Sequence, residues 1–286
     1  QSIRFDGRVA TVTGGGHGLG RVYALELARR GAKVVVNNWH SDAADAVVQE
    51  IVQAGGVAVA NYDDVASLEG GERIVKTALD TFGKLDILIN NAGFARDKSF
   101  ANMTPEMWQS VVAVHLQGAY NVTRPAFLAM RQNGYGRIVM TTSAAGLFGN
   151  FGEVQYSAAK MGLVGMMNTL KLEGDKYNIK VNSVAPLAAT KLNWEVLPED
   201  LRDALKPECV SPLVLYLCAE ECPVSGAIYN AAGGYFNRAA VVSGPGVWLG
   251  GPDKVPTPEE VAAHWQEIVS LEGAKEYPNA NAALMD

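Results

Sequence analysis

A chain of 286 residues with 48% hydrophobic and 19% charged side chains is apolar enough to bury one large core and too apolar to stay disordered. Its formal net charge of -6 argues against a nucleic-acid partner, whose phosphates need clustered Lys and Arg, and makes a small molecule the expected ligand. Cys209, Cys218 and Cys222 form neither an even disulfide framework nor a four-ligand zinc pattern, so reduced thiols and no metal are expected.

In chain order, residues 1–6 lack the basic-then-apolar pattern of a secretory leader, and no apolar run approaches the roughly 20 residues of a membrane span. The expectation is a cytoplasmic protein with no membrane partner, although a chain opening on Gln1 leaves room for a leader removed earlier. Seven short runs rich in β-branched residues follow, at 9–13, 33–37, 57–60, 85–90, 137–142, 180–185 and 227–230. Helical periodicity occupies 18–30, 42–54, 68–82, 105–130, 155–176 and 211–219. That alternation predicts a doubly wound α/β fold, a seven-stranded parallel sheet with helices on both faces.

Gly31, Gly55 and Gly83 stand where helices end on a left-handed residue, and Thr104-Pro105-Glu106 opens one with a capping hydroxyl. After Asn230, glycines at 233, 234, 244, 246, 250 and 251 predict an irregular loop. Thr257-Pro258-Glu259-Glu260 then reads as a capping box before a helix with Val261, Trp265, Ile268 and Val269 on one face. The expected organisation is a single domain at 1–236 and a C-terminal loop-and-helix extension at 237–286, whose apolar face packs on the domain or on a partner subunit.

The first run leads through Thr13-Gly14-Gly15-Gly16-His17-Gly18-Leu19-Gly20 into a helix. Glycines admit close approach of a pyrophosphate, and the helix start offers free N–H groups to it; a plain structural turn is the alternative. Nucleotide folds place a carboxylate at the end of the second strand, where it bonds ribose hydroxyls and repels a 2′-phosphate. Here Asn37-Asn38 stand there, so NAD and NADP are both open. His17, His40 and Ser41 are weak phosphate partners, or Asn38 simply caps the strand.

Tyr156 and Lys160 lie one turn apart at the start of a helix. A phenol beside an ammonium can exchange a proton with an alcohol or carbonyl while hydride moves to or from nicotinamide; in isolation such a spacing is more often a surface pair. Ser143 follows the fifth run, at the carboxyl edge of the sheet where open α/β folds bind ligands, and could equally be an edge turn.

The glycine motif at 13–20, Asn90-Asn91-Ala92-Gly93, Ser143 and the Tyr156/Lys160 pair together resemble the short-chain dehydrogenase/reductase family over nearly the whole chain. The resemblance implies a Rossmann-type fold with Tyr156 as acid/base, Ser143 orienting substrate, and Lys160 lowering the tyrosine pKa and bonding the nicotinamide ribose. It also implies that Gly14, Gly16, His17, Gly18, Leu19 and Gly20 hold the pyrophosphate, that Asn38 faces the adenosine ribose, and that Asp64 and Val65 contact adenine. Asn91, Ala92 and Gly93 would back the cofactor, and Pro186, Ala188 and Thr190 would flank the nicotinamide. Each has a local alternative: Asp64 caps a helix, or Pro186 ends a strand. The family expects an asparagine where this chain has His115, which either takes over a proton relay through its ring or backbone carbonyl, or is a packed polar residue.

A narrower resemblance rests on residues 4–8, 114–116, 135–138, 149–152, 205–208, 212–218 and the helix after Thr257. These are similar to the dehydrogenase units of peroxisomal multifunctional enzymes of type 2, which oxidise (3R)-hydroxyacyl-CoA thioesters and are related to 17β-hydroxysteroid dehydrogenases. Those units carry aspartate in place of Asn38 and a different turn in place of Leu187-Ala188-Ala189. No hydratase or sterol-carrier unit follows Asp286, which reads as a stand-alone enzyme or an excised fragment.

The leading expectation is hydride exchange between NAD(P) and a secondary alcohol on an apolar carrier, a 3-hydroxyacyl-CoA or a hydroxysteroid. Leu147, Phe148, Phe151, Met161, Leu192 and Trp194 would line its path, unless they are plain core. An NADPH-dependent 3-oxoacyl thioester reductase is the runner-up, favoured by Asn38. From another class, the chain could be a catalytically silent dinucleotide-binding scaffold. The resemblance further implies a homodimer or homotetramer built on the helices at 105–130 and 155–176.

Overall fold

The computed structural model describes residues Gln1–Asp286. Its first strand, β1 (Val9–Val12), is buried at every position, as a strand covered on both faces must be. The chain continues through α1 (Gly18–Arg29), β2 (Lys33–Asn37), α2 (Ser41–Gln53), β3 (Val57–Asn61), α3 (Leu68–Phe82) and β4 (Ile87–Asn90). Next come α4 (Pro105–Val112), α5 (Gly118–Asn133), β5 (Gly136–Thr141), α6 (Ala144–Phe148), α7 (Val154–Gly174) and β6 (Ile179–Leu187). The sheet side ends with α8 (Glu199–Ala204), α9 (Ser211–Cys218), β7 (Ile228–Ala232) and β8 (Tyr235–Ala239).

The strands lie in the order β3-β2-β1-β4-β5-β6-β7-β8, and β1 through β7 are parallel. Strand order reverses between β1 and β4, where Thr11 pairs with Val35 on one side and Leu88 on the other. Ligands of open α/β sheets bind outside the carboxyl ends of the strands at such a point.

Seven strands were expected and eight are present. Residues 235–239, read from the sequence as loop, extend the sheet after Gly233-Gly234, both at positive φ. A two-residue connection can only fold the chain back, so β8 runs antiparallel to β7. Its side chains are almost all exposed, so an edge strand of this kind shows no alternation that would mark it. The helix expected at 105–130 runs on to Asn133, and a π turn at Ala113–Gln117 interrupts it. Pro125 lies inside α5 and brings no N–H for the carbonyl of Asn121 one turn earlier. Against that carbonyl packs Gly71 of α3, so closely that a Cβ there would overlap it.

Helix ends follow the local chemistry. Gly31, Gly55 and Gly83 all have positive φ, and the Thr104 hydroxyl accepts the N–H of Met107 at 3.2 Å with Pro105 at the first helical position.

At the amino ends of β1, β4 and β5 sits a polar cluster. The Asp86 carboxylate, fully buried, accepts the Val9 N–H and the Asn133 amide, both at 2.8 Å, and lies 3.1 Å from Lys84 and 3.5 Å from Arg8. Arg137 is also buried and donates to the carbonyls of Ala219, Gly136, Asn178 and Glu220. Its guanidinium and that of Arg8 both lie over the Tyr135 ring.

These elements belong to a compact unit, Gln1–Arg238; residues Ala239–Asp286 form a second. In the second unit the capping box at Thr257 is present and opens α10 (Pro258–Ala263). The single helix expected there is broken at His264, and α11 (Trp265–Val269) and α12 (Ala280–Met285) follow. Ser243 and Lys275 bridge in antiparallel fashion.

Candidate active site

Between β1 and α1 the glycine turn reverses the chain with Gly14 at φ 61° and Gly18 at φ 50°, conformations that only glycine adopts without strain. A Cβ on Gly20 would overlap the carbonyl of Gly14, and one on Gly16 would lie 2.8 Å from Cγ of Asn38. His17 is the N-cap of α1 and its side chain bonds no helix N–H. The first amides of α1, including those of Gly18 and Leu19, therefore stay open to an anion. This cradle of free N–H groups and missing side chains fits a dinucleotide pyrophosphate.

Asn38 is buried beside that turn, and its amide donates to the His40 carbonyl at 3.1 Å. Asn37 instead turns to Asn61 and the Asp63 carbonyl. Asp64 accepts the Ala66 N–H at 2.9 Å, so its carboxylate braces the turn into α3, where Ser67 is the capping residue. Val65 lies buried next to it, and its carbonyl accepts the Asn121 amide.

At the carboxyl end of β4, Asn91 donates to the carbonyls of Thr13 and Gly14 at 3.2 and 3.1 Å. The Thr13 hydroxyl accepts the N–H groups of Asn91 and Ala92 at 2.9 and 3.1 Å. This lock joins the glycine turn to residues 91–93. Thr13 opens the glycine motif read from the sequence, which gave its hydroxyl no role.

Ser143 caps α6, its Oγ accepting the Ala145 N–H at 3.2 Å, and its hydroxyl stands near enough to the Tyr156 phenol to act on its acidity. Lys160 sits one turn along α7, with Nζ 5.4 Å from the centre of the Tyr156 ring. Its ammonium donates to the Thr141 carbonyl at 2.7 Å, while the Thr142 hydroxyl donates to the carbonyl of Lys160 at 2.7 Å. Two threonines at the end of β5 thus fix the start of α7, and no spacing in the sequence announced them. The three expected groups converge at the carboxyl edge of the sheet.

Burial governs their electrostatics. It raises the Tyr156 phenol, against the opposing influence of the Ser143 hydroxyl, and lowers Lys160 to about 7. Glu153 and Asp97 push the phenol further up, and Glu153 is itself raised, by burial first and then by Asp97. Before any ligand enters, the site thus favours the neutral forms of both groups.

His115 occupies the π turn and is 5% exposed. Its ring stands edge-on to Tyr156, centroids 5.1 Å apart, and burial, with help from Lys160, drives its pKa down to about 3. Pro186 and Leu187 extend β6 two residues past its expected end. Beyond them the Asn193 side chain accepts the Thr190 N–H and donates to the Ala188 carbonyl, both at 2.8 Å, and Thr190 packs on Gly18. Phe148, Phe151 and Leu192 are 76%, 90% and 74% exposed and Trp194 is half-exposed, so they are surface and not core.

The sequence pattern of the family described as short chain dehydrogenase matches residues 8–200. A mouse protein named peroxisomal multifunctional enzyme type 2 is 48% identical over 95% of this chain, which spans 38% of that protein's length. A short-chain type dehydrogenase/reductase of Mycobacterium tuberculosis is 49% identical over 94% of this chain and 96% of its own. Among solved structures, full-length peroxisomal multifunctional enzyme type 2 from Drosophila melanogaster superposes with a TM-score of 0.86 and 41% identity, covering 99% of this chain and 49% of that one.

Proposed function

Because the chain belongs to the short-chain dehydrogenase family and is thereby an oxidoreductase acting on CH–OH groups, we propose that it interconverts a secondary alcohol and a ketone on an apolar carrier, using NAD or NADP. A 3-hydroxyacyl-CoA thioester is the first substrate to test and a 17β-type hydroxysteroid the second. The observation that carries this reading is the meeting of Ser143, Tyr156 and Lys160 beside the pyrophosphate-shaped glycine turn.

In that reading a bound nicotinamide supplies hydride acceptance or delivery. Tyr156 takes the hydroxyl proton during oxidation and returns it during reduction, Ser143 holds the substrate oxygen, and Lys160 bonds the ribose and favours the phenolate. Gly14, Gly16, Gly18 and Gly20 hold the pyrophosphate. The exposed Phe148, Phe151, Leu192 and Trp194 give an acyl chain or steroid an apolar landing. The likeness to multifunctional enzymes of type 2 favours the thioester.

Incubating the purified chain with each substrate and following reduced-nicotinamide absorbance tests this. Turnover of a 3-hydroxyacyl-CoA is expected, and no turnover with either class removes the assignment. Tyr156→Phe should lower kcat by about 10²- to 10⁴-fold; unchanged activity would mean that Tyr156 is not the acid/base. The absence of a carboxylate at Asn38 supports a second reading, a 3-oxoacyl thioester reductase using NADPH. A strong preference for NADH counts against it. A cytoplasmic location belongs to the same proposal, and recovery of the chain with an organelle fraction would replace it.

A further inference from the structure

We infer that His115 is a positioning residue, whose imidazole clamps the segment Ala92-Gly93-Phe94 to the π turn and braces the ring of Tyr156, and that this imidazole does not relay protons. The inference rests on the site reading above and goes beyond it by giving a role to a side chain that touches no reacting atom.

The clamp is visible on three sides of the ring. Nε2 lies 2.7 Å from the Phe94 carbonyl and 3.1 Å from the Phe94 N–H. A neutral ring nitrogen can make only one of these a hydrogen bond, and the shorter contact requires a proton between the atoms. Nε2 therefore carries it and donates to the carbonyl, which leaves Nδ1 a bare acceptor, buried and without a partner. On the second side Gly93 lies flat against the ring, so that a Cβ there would overlap Cε1. On the third, the ring edge meets Tyr156. The held segment is fixed at its other end by Thr13 and Asn91, so His115 completes a frame from the glycine turn to the phenol.

A relay through the imidazole would need the ring to gain and lose a proton. The titratable groups facing it, Lys160 and Tyr156, both come from α7, while β4 and residues 92–94 present amide and backbone groups. Burial and the nearby ammonium of Lys160 both oppose a second proton on the imidazole.

Side-chain reach separates the two roles. Nε2 stands three bonds from Cβ, as does the amide of glutamine, whereas asparagine ends one bond short. Glutamine can also satisfy the Phe94 N–H and carbonyl together. The purified chain and its H115Q, H115N, H115L, G93A, H115A and G93A/H115A variants are titrated with NADH by fluorescence. Steady-state rates with a 3-hydroxyacyl-CoA are taken across about pH 5 to 9. H115L and H115N should weaken NADH about tenfold, H115Q about twofold or less, with unmoved pH limbs. Gly93 is not at positive φ, and the three atoms nearest a Cβ there all belong to the ring: G93A should cost about tenfold alone and little more in the H115A background.

Nitrogen NMR of the labelled wild-type histidines should show this ring as the Nε2–H tautomer, neutral throughout that range. H115N matching wild type, H115Q as poor as H115L, additive G93A and H115A losses, or a ring that titrates overturns the clamp. Missing turnover with intact NADH binding would instead sink the substrate reading and leave the clamp standing. A wild-type chain that binds no NADH, with a ring that titrates, would end both.

Discussion

Lys160 carries a charge that the fold resists. Burial lowers its pKa to about 7 from the ordinary 10.5 it keeps in the unfolded chain. Between those values the unfolded chain binds one more proton than the folded one, so stability rises with pH there; below about 7 both forms are protonated and the folded state bears the full cost of the buried ammonium. The Cys218 thiol, raised by burial from an ordinary 9.0, works against this from about pH 8 upward, and the Tyr23 phenol, raised likewise, near and above 10, so the clear window is about pH 7 to 8. Urea unfolding of the ligand-free chain should show a midpoint that climbs across that window, and Lys160→Met should flatten the climb. A flat wild-type profile would mean that the ammonium is solvated. The spacing of Tyr156 and Lys160 is legible in the sequence because one helical turn suffices to bring them together. The contacts that fix them, from Thr141 and Thr142, and the lock of Thr13 on Asn91 span 18 to 79 residues and exist only once β1, β4 and β5 are neighbours.

Among the elements, the crossing of α3 and α5 makes a sharp test. Gly71→Ala should gain about 1 kcal/mol of helix propensity, yet its Cβ meets the backbone carbonyl of Asn121, which no side-chain rotation can relieve. Overpacking of this sort costs about 1–3 kcal/mol and more where backbone must move, so a net loss of about 2 kcal/mol is expected in chemical denaturation. A stabilised variant would show that α5 yields easily. The effect of Pro125 depends on which helix lies against the freed carbonyl, and that is settled only once α3 and α5 have met. The π turn is hidden for a related reason: residues 113–117 read as ordinary helix, and only the seating of His115 against Phe94 and Tyr156 gives the widened turn an occupant. Strands with buried β-branched runs were legible almost to the residue, whereas β8 was not, since its only signal is the Gly233-Gly234 reversal.

For the whole molecule, assembly is a matter for solution measurement. Tyr120, Leu128 and Leu172 on α5 and α7 are half-exposed apolar groups, and the expected homodimer or homotetramer would cover them. Light scattering should give a mass of two or four chains, and a monomer would refute it. The two ends of the strands also differ in kind. Arg137→Met would remove the buried donor shared by the carbonyls of Ala219, Asn178 and Glu220, leaving Ala219 and Asn178 only the N–H groups of Cys222 and Gly136, a loss of about 1–3 kcal/mol, and should lower the melting temperature while kcat stays unchanged. A fall in kcat at a temperature where the variant is fully folded would show that the ends are coupled.

That polar cluster around Asp86 and Arg137 closes the edge of the sheet remote from the glycine turn. A lesion there is expected to shorten how long a molecule lasts and to leave each survivor at full speed. At the near edge the two properties meet in Lys160, whose buried charge serves turnover at a cost in durability, so a selection for endurance has freer play at the far edge than at the near one.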